Sequence, residues 1–194
     1  MKHLVFLVEE PSMKGFLDTL LPRIIPENIT YDILPHEGKS DLERSIPRKL
    51  RGYLLPGYNV HFVILRDQHG GDCFGIKQKL QQLCQQSGRP DALIRIVCRE
   101  LESWYLGDLA ALEAAFGERN LSDKQQTRTY RDPDRLTNAA DIMHRLVPGF
   151  IKSNGYQIAS HIDLESNCSK IFQVFLSGVR RIVSESAQLR REKS

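Results

Sequence analysis

Acidic residues recur where the apolar runs of this 194-residue chain end. Leu4-Val-Phe-Leu-Val8 runs into Glu9-Glu10, and Val60-His-Phe-Val-Ile-Leu65 runs into Arg66-Asp67. A third run, Ala92-Leu-Ile-Arg-Ile-Val-Cys98, runs into Arg99-Glu100-Leu-Glu102, and Asp72 lies a few residues beyond Asp67. If the runs are parallel strands, these acids share the carboxyl edge of one sheet, where ligands of open α/β folds bind. Carboxylates gathered there repel one another unless a hard cation sits among them. An all-oxygen donor set with room for water and phosphate suits Mg2+ (or Mn2+). Glu9 and Asp67 are the candidate catalytic residues, and Glu9, Asp67, Asp72 and Glu100 the candidate metal ligands. Glu10, His69 and Glu102 are candidates for further ligands or their supports. Glu100 is favoured over Glu102 because it stands nearer the strand end; the two share a face only where the chain is still extended. Against this stands a plainer account, in which any one such acid caps a helix or faces solvent.

The elements that must position these residues alternate. Between the first run and Ile29-Thr-Tyr-Asp-Ile-Leu34, a second strand, Ser12 can cap a helix carrying Met13, Phe16, Leu17, Leu20 and Leu21 until Pro22 ends it. Ser40 and Glu43 fit a capping box for a helix with Leu42, Ile46 and Leu50, in which Pro47 marks a kink or a later start. Phe74 to Gln86 reads as a third helix, and Leu101 to Phe116 as a fourth. Strand, helix, strand, helix predicts an α/β fold: a mostly parallel central sheet, joined by right-handed crossovers and flanked by helices. Residues 1–116 form that core. Residues 117–194 add a polar loop and C-terminal helices packed on it, one of them built on Ile171, Phe172, Phe175, Leu176, Val179, Ile182 and Val183. The polar tail after Glu185, with Arg190 to Ser194, is expected to fray.

Other chemistries find little support. No P-loop or G-x-G-x-x-G loop exists, no H-E-x-x-H or Cys/His finger spacing, and no nucleophile elbow around Ser12 or Ser103. Cys73, Cys84, Cys98 and Cys168 make no C-x-x-C pair and read as reduced, largely buried thiols of a cytoplasmic protein. The first apolar run is too short for a signal peptide and no run is long enough to span a membrane. Trp104 and Tyr105 fit a core-facing helix, and His61 an interior or edge strand position. The net charge of +3 permits a phosphate-bearing partner without requiring one. Lys124, Arg128, Arg131 and Arg135, in one polar loop with Tyr130, are the candidate nucleic-acid contacts, by backbone charge and base stacking.

Val8-Glu9-Glu10-Pro11-Ser12 resembles the V-E-G-x-[ST]-E signature of the Toprim domain, and Leu65-Arg66-Asp67-Gln68-His69 its strand ending in D-x-D. Over most of its length the chain is most similar to the DUF4276 group within that superfamily. The similarity takes in Asp67-Gln68 with Asp72-Cys73, Arg95-Ile-Val-Cys-Arg-Glu-Leu-Glu-Ser-Trp104, Leu106-Gly-Asp108, Ile162-Asp163 and Cys168. The resemblance implies a Toprim-like (Rossmann-like) fold in which Glu9 is a general acid or base and Asp67 binds Mg2+ for phosphodiester cleavage or transfer. His69 stands where the second Asp of D-x-D belongs, Glu10 where the Gly does, and Met13 where the final Glu does. Three consequences stay open: Asp72 replaces the missing acid, Glu10 compensates for Met13, or the site has decayed. Imidazole at His69 suits Mn2+ or Zn2+ better than Mg2+.

Two functions follow as expectations. One is a metal-dependent, nuclease-like enzyme acting on DNA or RNA, working with an AAA-type ATPase partner in a defence-type system, as similar small proteins do. The other is a catalytically degenerate module of the same fold that acts by binding a protein partner. An α/β phosphotransferase of small molecules has no specific residue behind it. Neither oligomeric state nor substrate is encoded in any motif.

Overall fold

The computed structural model describes residues 1–97 and 99–191, and for 186–191 the helix backbone alone. The expectations for Cys98, as a strand end and buried thiol, and for the tail at 192–194 lie outside the described residues. Four strands form the sheet: β1 (Lys2–Val8), β2 (Thr30–Pro35), β3 (Asn59–Asp67) and β4 (Leu93–Val97). They are all parallel, in the order β2-β1-β3-β4. The first three helices are the crossovers: α1 (Pro11–Leu20), α2 (Lys39–Gly52) and α3 (Cys73–Gln86). The alternation of β1 sends Leu4, Phe6 and Val8 to one face and Val5 and Leu7 to the other. α1 covers the first face; α2 and α3 cover the second. Right-handed crossovers require this split, because the chain leaves β1 toward one edge and returns past it toward the other.

The C-terminal half thickens the first face with α4 (Glu102–Tyr105), α5 (Leu109–Phe116), α6 (Ala139–Leu146), α7 (Gly155–His161) and α8 (Lys170–Arg191). Trp104 and Tyr105 are buried there, as their spacing predicts, with Trp104 against Phe172 and Phe175 at centroid distances of 5.3 and 5.0 Å. Among the described residues, no helix is long and apolar enough to cross a membrane.

Local chemistry corrects several expectations. The single helix predicted over Leu101–Phe116 is two. Asp108 breaks it by capping α5 (Ala111 N–H donates to Oδ1, 3.0 Å), while its Oδ2 accepts the Asp163 N–H at 2.7 Å. α1 starts at Pro11, one residue before the predicted cap, and the Ser12 hydroxyl instead donates to Glu10 Oε1 at 2.6 Å. The capping box of α2 does not form: Gly38, at φ +89°, precedes the helix and Glu43 turns to Arg66. Pro47 stays inside α2. The polar segment 122–135 is tied down from within. Gln125 Nε2 donates to the carbonyls of Leu106 and Tyr130, and Asp134 accepts the Ile171 N–H at the start of α8.

α7 has no counterpart in the sequence reading, for it is short and opens on glycine. That glycine is what allows it to dock: a Cβ on Gly155 would collide with the Tyr105 hydroxyl. Helix propensity alone would have Gly155→Ala stabilise the protein by about 1 kcal/mol. The contact predicts the opposite sign, a loss of about 1–3 kcal/mol from overpacking, measured as a lower urea midpoint at unchanged slope.

Candidate active site

The strand order reverses between β1 and β3, since the chain goes from β1 outward to β2 and from β3 outward to β4. A crevice at the carboxyl ends of those two strands is where such sheets bind ligands. Val8 pairs with Leu65, which puts Glu9 and Asp67 side by side at that point. Asp67 shares the first face with Val63 and Leu65. Arg66 faces the second, where its Nη1 donates to Glu43 Oε1 at 2.5 Å, and Lys79 donates to Glu43 Oε2 at 2.6 Å.

Glu9, only 4% exposed, is fully engaged. Its Oε2 accepts the Asp67 backbone N–H at 3.0 Å, and its Oε1 accepts from His69 Nε2 at 2.8 Å. Arg66 Nε stands 3.9 Å from Oε2. The loops beyond β3 and β4 hold His69 in place. Gln68 N–H donates to Val97 O, His69 N–H to Arg99 O, and Arg99 N–H to Gln68 Oε1, at 3.0, 3.1 and 3.1 Å. His69 (φ +47°) and Arg99 (φ +59°) both take the left-handed conformation that costs a non-glycine residue energy, a strain often kept at functional sites.

Asp67 is the opposite case. It is 0% exposed, and among the described residues neither carboxylate oxygen has a hydrogen-bond partner. Among the same residues nearby Glu102, 1% exposed, leaves Oε2 unpartnered, and the buried Tyr105 hydroxyl has no partner either. Burial pushes the Asp67 carboxyl well above the usual carboxylate range, and the charges of Glu9, Glu10 and Glu102 push it further. Burial also raises Glu102, with Lys152 opposing. The Tyr105 phenol is raised by burial and then by Glu102 and Asp67. One ammonium answers these acids. Lys152, in a 3-10 turn (Lys152–Asn154) just before α7, places Nζ 3.4 Å from Glu10 Oε1. Burial would lower its pKa, but Glu102, Glu10 and Asp67 together carry it upward.

The expected residues therefore part company. Glu9 and Asp67 meet, with Glu10 and Glu102 close to Asp67. Asp72 does not join them: it is exposed and caps α3, accepting the N–H groups of Phe74 and Gly75 at 3.3 and 2.7 Å. Glu100 is only half-buried in the turn after β4, and Glu102 takes the interior position instead, because a tight turn at Glu100–Ser103 swings α4 inward. Lys124, Arg128 and Arg131 are exposed, as is Arg135, which pairs with Asp132 at 3.0 Å. Lys152 was missed altogether, being 85 residues from Asp67 in a segment with no motif. The donor chemistry suits a hard cation, with three buried, unbonded carboxylate oxygens on Asp67 and Glu102. Among the described residues, however, no three His, Cys, Asp or Glu side chains are drawn together tightly enough to hold a metal ion.

A family model described as Domain of unknown function (DUF4276) matches residues 8–180. No curated protein and no solved structure matches the chain.

The raised Asp67 pKa fixes the sign of a stability effect in the metal-free protein. Its folded-state pKa lies above its unfolded value, so the contribution is full below the ordinary aspartate range and is lost as pH rises through the raised value. Asp67→Asn removes that loss. The variant should melt about 3 °C or more above the wild type at pH 8 and lose this advantage at pH 4, read by thermal unfolding in chelator. Equal melting differences at both pH values would mean that Asp67 does not titrate as buried.

Proposed function

The chain belongs to the DUF4276 family, and from its own geometry we propose that it is a Toprim-like, metal-dependent enzyme that cleaves phosphodiesters, a nuclease. The reading is supported by one observation: a wholly buried Asp67 carboxylate with both oxygens unbonded among the described residues, at the strand-order reversal of a parallel sheet. Asp67, Glu102 and Glu10 are the residues that would hold Mg2+ or Mn2+. Bound there, the ion would polarise a phosphoryl oxygen and acidify a water. Glu9 is aimed by the Asp67 N–H and by His69, whose Nε2 stands 2.8 Å from Glu9 Oε1. The Lys152 ammonium beside Glu10 offers positive charge to a bound phosphate. The exposed Lys124, Arg128 and Arg131 supply sequence-independent contacts to the backbone of DNA or RNA. An AAA-type ATPase partner in a defence-type system belongs to the same proposal.

The absence, among the described residues, of a closed three-residue metal set favours a second reading, a non-catalytic module that binds a protein partner. One experiment separates them. Calorimetric titration of Mg2+ and Mn2+ is run beside cleavage of single- and double-stranded DNA and RNA, with and without the ATPase. The enzyme reading expects cleavage by the wild type and its loss by about 100-fold or more in Asp67→Asn, Glu102→Gln and Glu9→Gln. Asp72→Asn should retain cleavage, since its carboxylate only caps α3. No metal uptake and no cleavage by the wild type under any condition would leave the module standing.

A further inference from the structure

We propose that the chain carries a second binding site, for a small polyanion, in a groove at the opposite edge of the sheet from Asp67. A cavity of about 430 Å³ lies there, within the size range of small-molecule sites. Its floor is β4 from Leu93 to Arg95 with the neighbouring His61 of β3; its walls are Lys77 of α3 and Arg181 of α8. β4 ends the sheet and pairs only with β3.

The groove holds more cation than it neutralises. Asp91 and Glu185 also line it, yet among the described residues none of Lys77, Arg95 and Arg181 forms an ion pair. Arg95 is held from behind. Its Nε donates to Val174 O at 3.3 Å and its Nη1 to Ile94 O at 2.9 Å, so its remaining N–H groups have no acceptor among the described residues. Burial, and then the charge of Arg181, depress the guanidinium pKa. Two guanidinium charges beside each other, neither of them in an ion pair among the described residues, favour a bound anion between them. His61 adds a polar atom without a partner among the described residues, its buried Nε2.

Gly178 shows what the arrangement costs. A glycine inside a helix is worth about 1 kcal/mol less than alanine. A Cβ here would come within 2.7 Å of Arg95 Nη2 and 2.9 Å of Leu93 Cδ2. The glycine lets α8 lie directly on Arg95 and keep the guanidinium in the groove. Phosphate and carboxylate share the chemistry this fork recognises.

The test uses the full chain, labelled with 15N, titrated with pyrophosphate, inorganic phosphate and citrate, and followed by NMR and calorimetry. Saturable shifts at His61 and at Leu93–Arg95 are expected with pyrophosphate or citrate, and the tighter of the two identifies phosphate or carboxylate chemistry. Arg181→Gln, at an exposed position whose side chain makes no hydrogen bond among the described residues, should weaken binding about tenfold, the loss of one charge-assisted contact. Asp67→Asn should leave it unchanged, which keeps this site separable from the acidic one. No saturable binding of any of the three overturns the proposal, as do shifts confined to 122–135 or an affinity indifferent to Arg181→Gln.

Discussion

A carboxylate that is wholly buried with neither oxygen bonded must hold a proton or find a cation, and the C-terminal half of the chain is arranged around that demand at Asp67. Moving an ion of this size out of water costs several kcal/mol even after the protein relaxes. Nothing in β3 itself offsets the cost. The offset comes from Lys152, in the turn before α7, a helix that packs on α1 and α5 and brings Gly155 against the Tyr105 hydroxyl. The helices on the first face are thus part of the site's electrostatics as well as its cover.

The sheet limits the repulsion of Glu9 and Asp67 by dividing them, though the Glu9 charge still raises the Asp67 carboxyl. Strand alternation turns Asp67 to the first face, while Glu9, just past the end of β1, is met by Arg66 and His69. Glu9 still touches its neighbour, but through the Asp67 amide, so a hydrogen bond replaces a carboxylate–carboxylate contact. The end of β1 is fixed from the other side as well. His36 Nδ1–H donates to Val8 O at 2.8 Å, and its Nε2 faces Ser45 Oγ at 2.6 Å and Lys49 Nζ at 3.0 Å. Burial holds the His36 imidazole below its ordinary pKa, which keeps it neutral and able to serve as both donor and acceptor.

The strands and crossover helices were legible because each is written in local periodicity: continuous apolar runs for β1 and β3, and helical spacing for α1 and α3. The convergence of Glu9 and Asp67 was legible too, since strand ends on one parallel edge must lie together. What failed to show was whatever depends on side-chain direction or on distant segments. Asp72 has the right type and place for a ligand, but an Asp directly before a helix is also the best available cap, and the two free N–H groups of α3 claimed it. Glu100 was favoured as the acid nearer the strand end, but the chain turns past β4 and it is Glu102 that lies buried. Lys152 carries no local signature, because its role is created by packing between residues far apart in sequence.

The two ends of the strands carry opposite electrostatic problems, and the solutions differ in kind. At the carboxyl end, acids outnumber their single ammonium and the excess is suppressed by burial, which favours protonation. At the amino end, the three cations Lys77, Arg95 and Arg181 outnumber the two acids Asp91 and Glu185, and a guanidinium has no such escape at any ordinary pH. Excess positive charge there must be met by solvent or by a bound anion. Half-burying Arg95 under Gly178 removes part of the solvent option. A protein without a use for charge here would gain by placing an apolar residue at 95, where the side chain lies against Gly178 of α8.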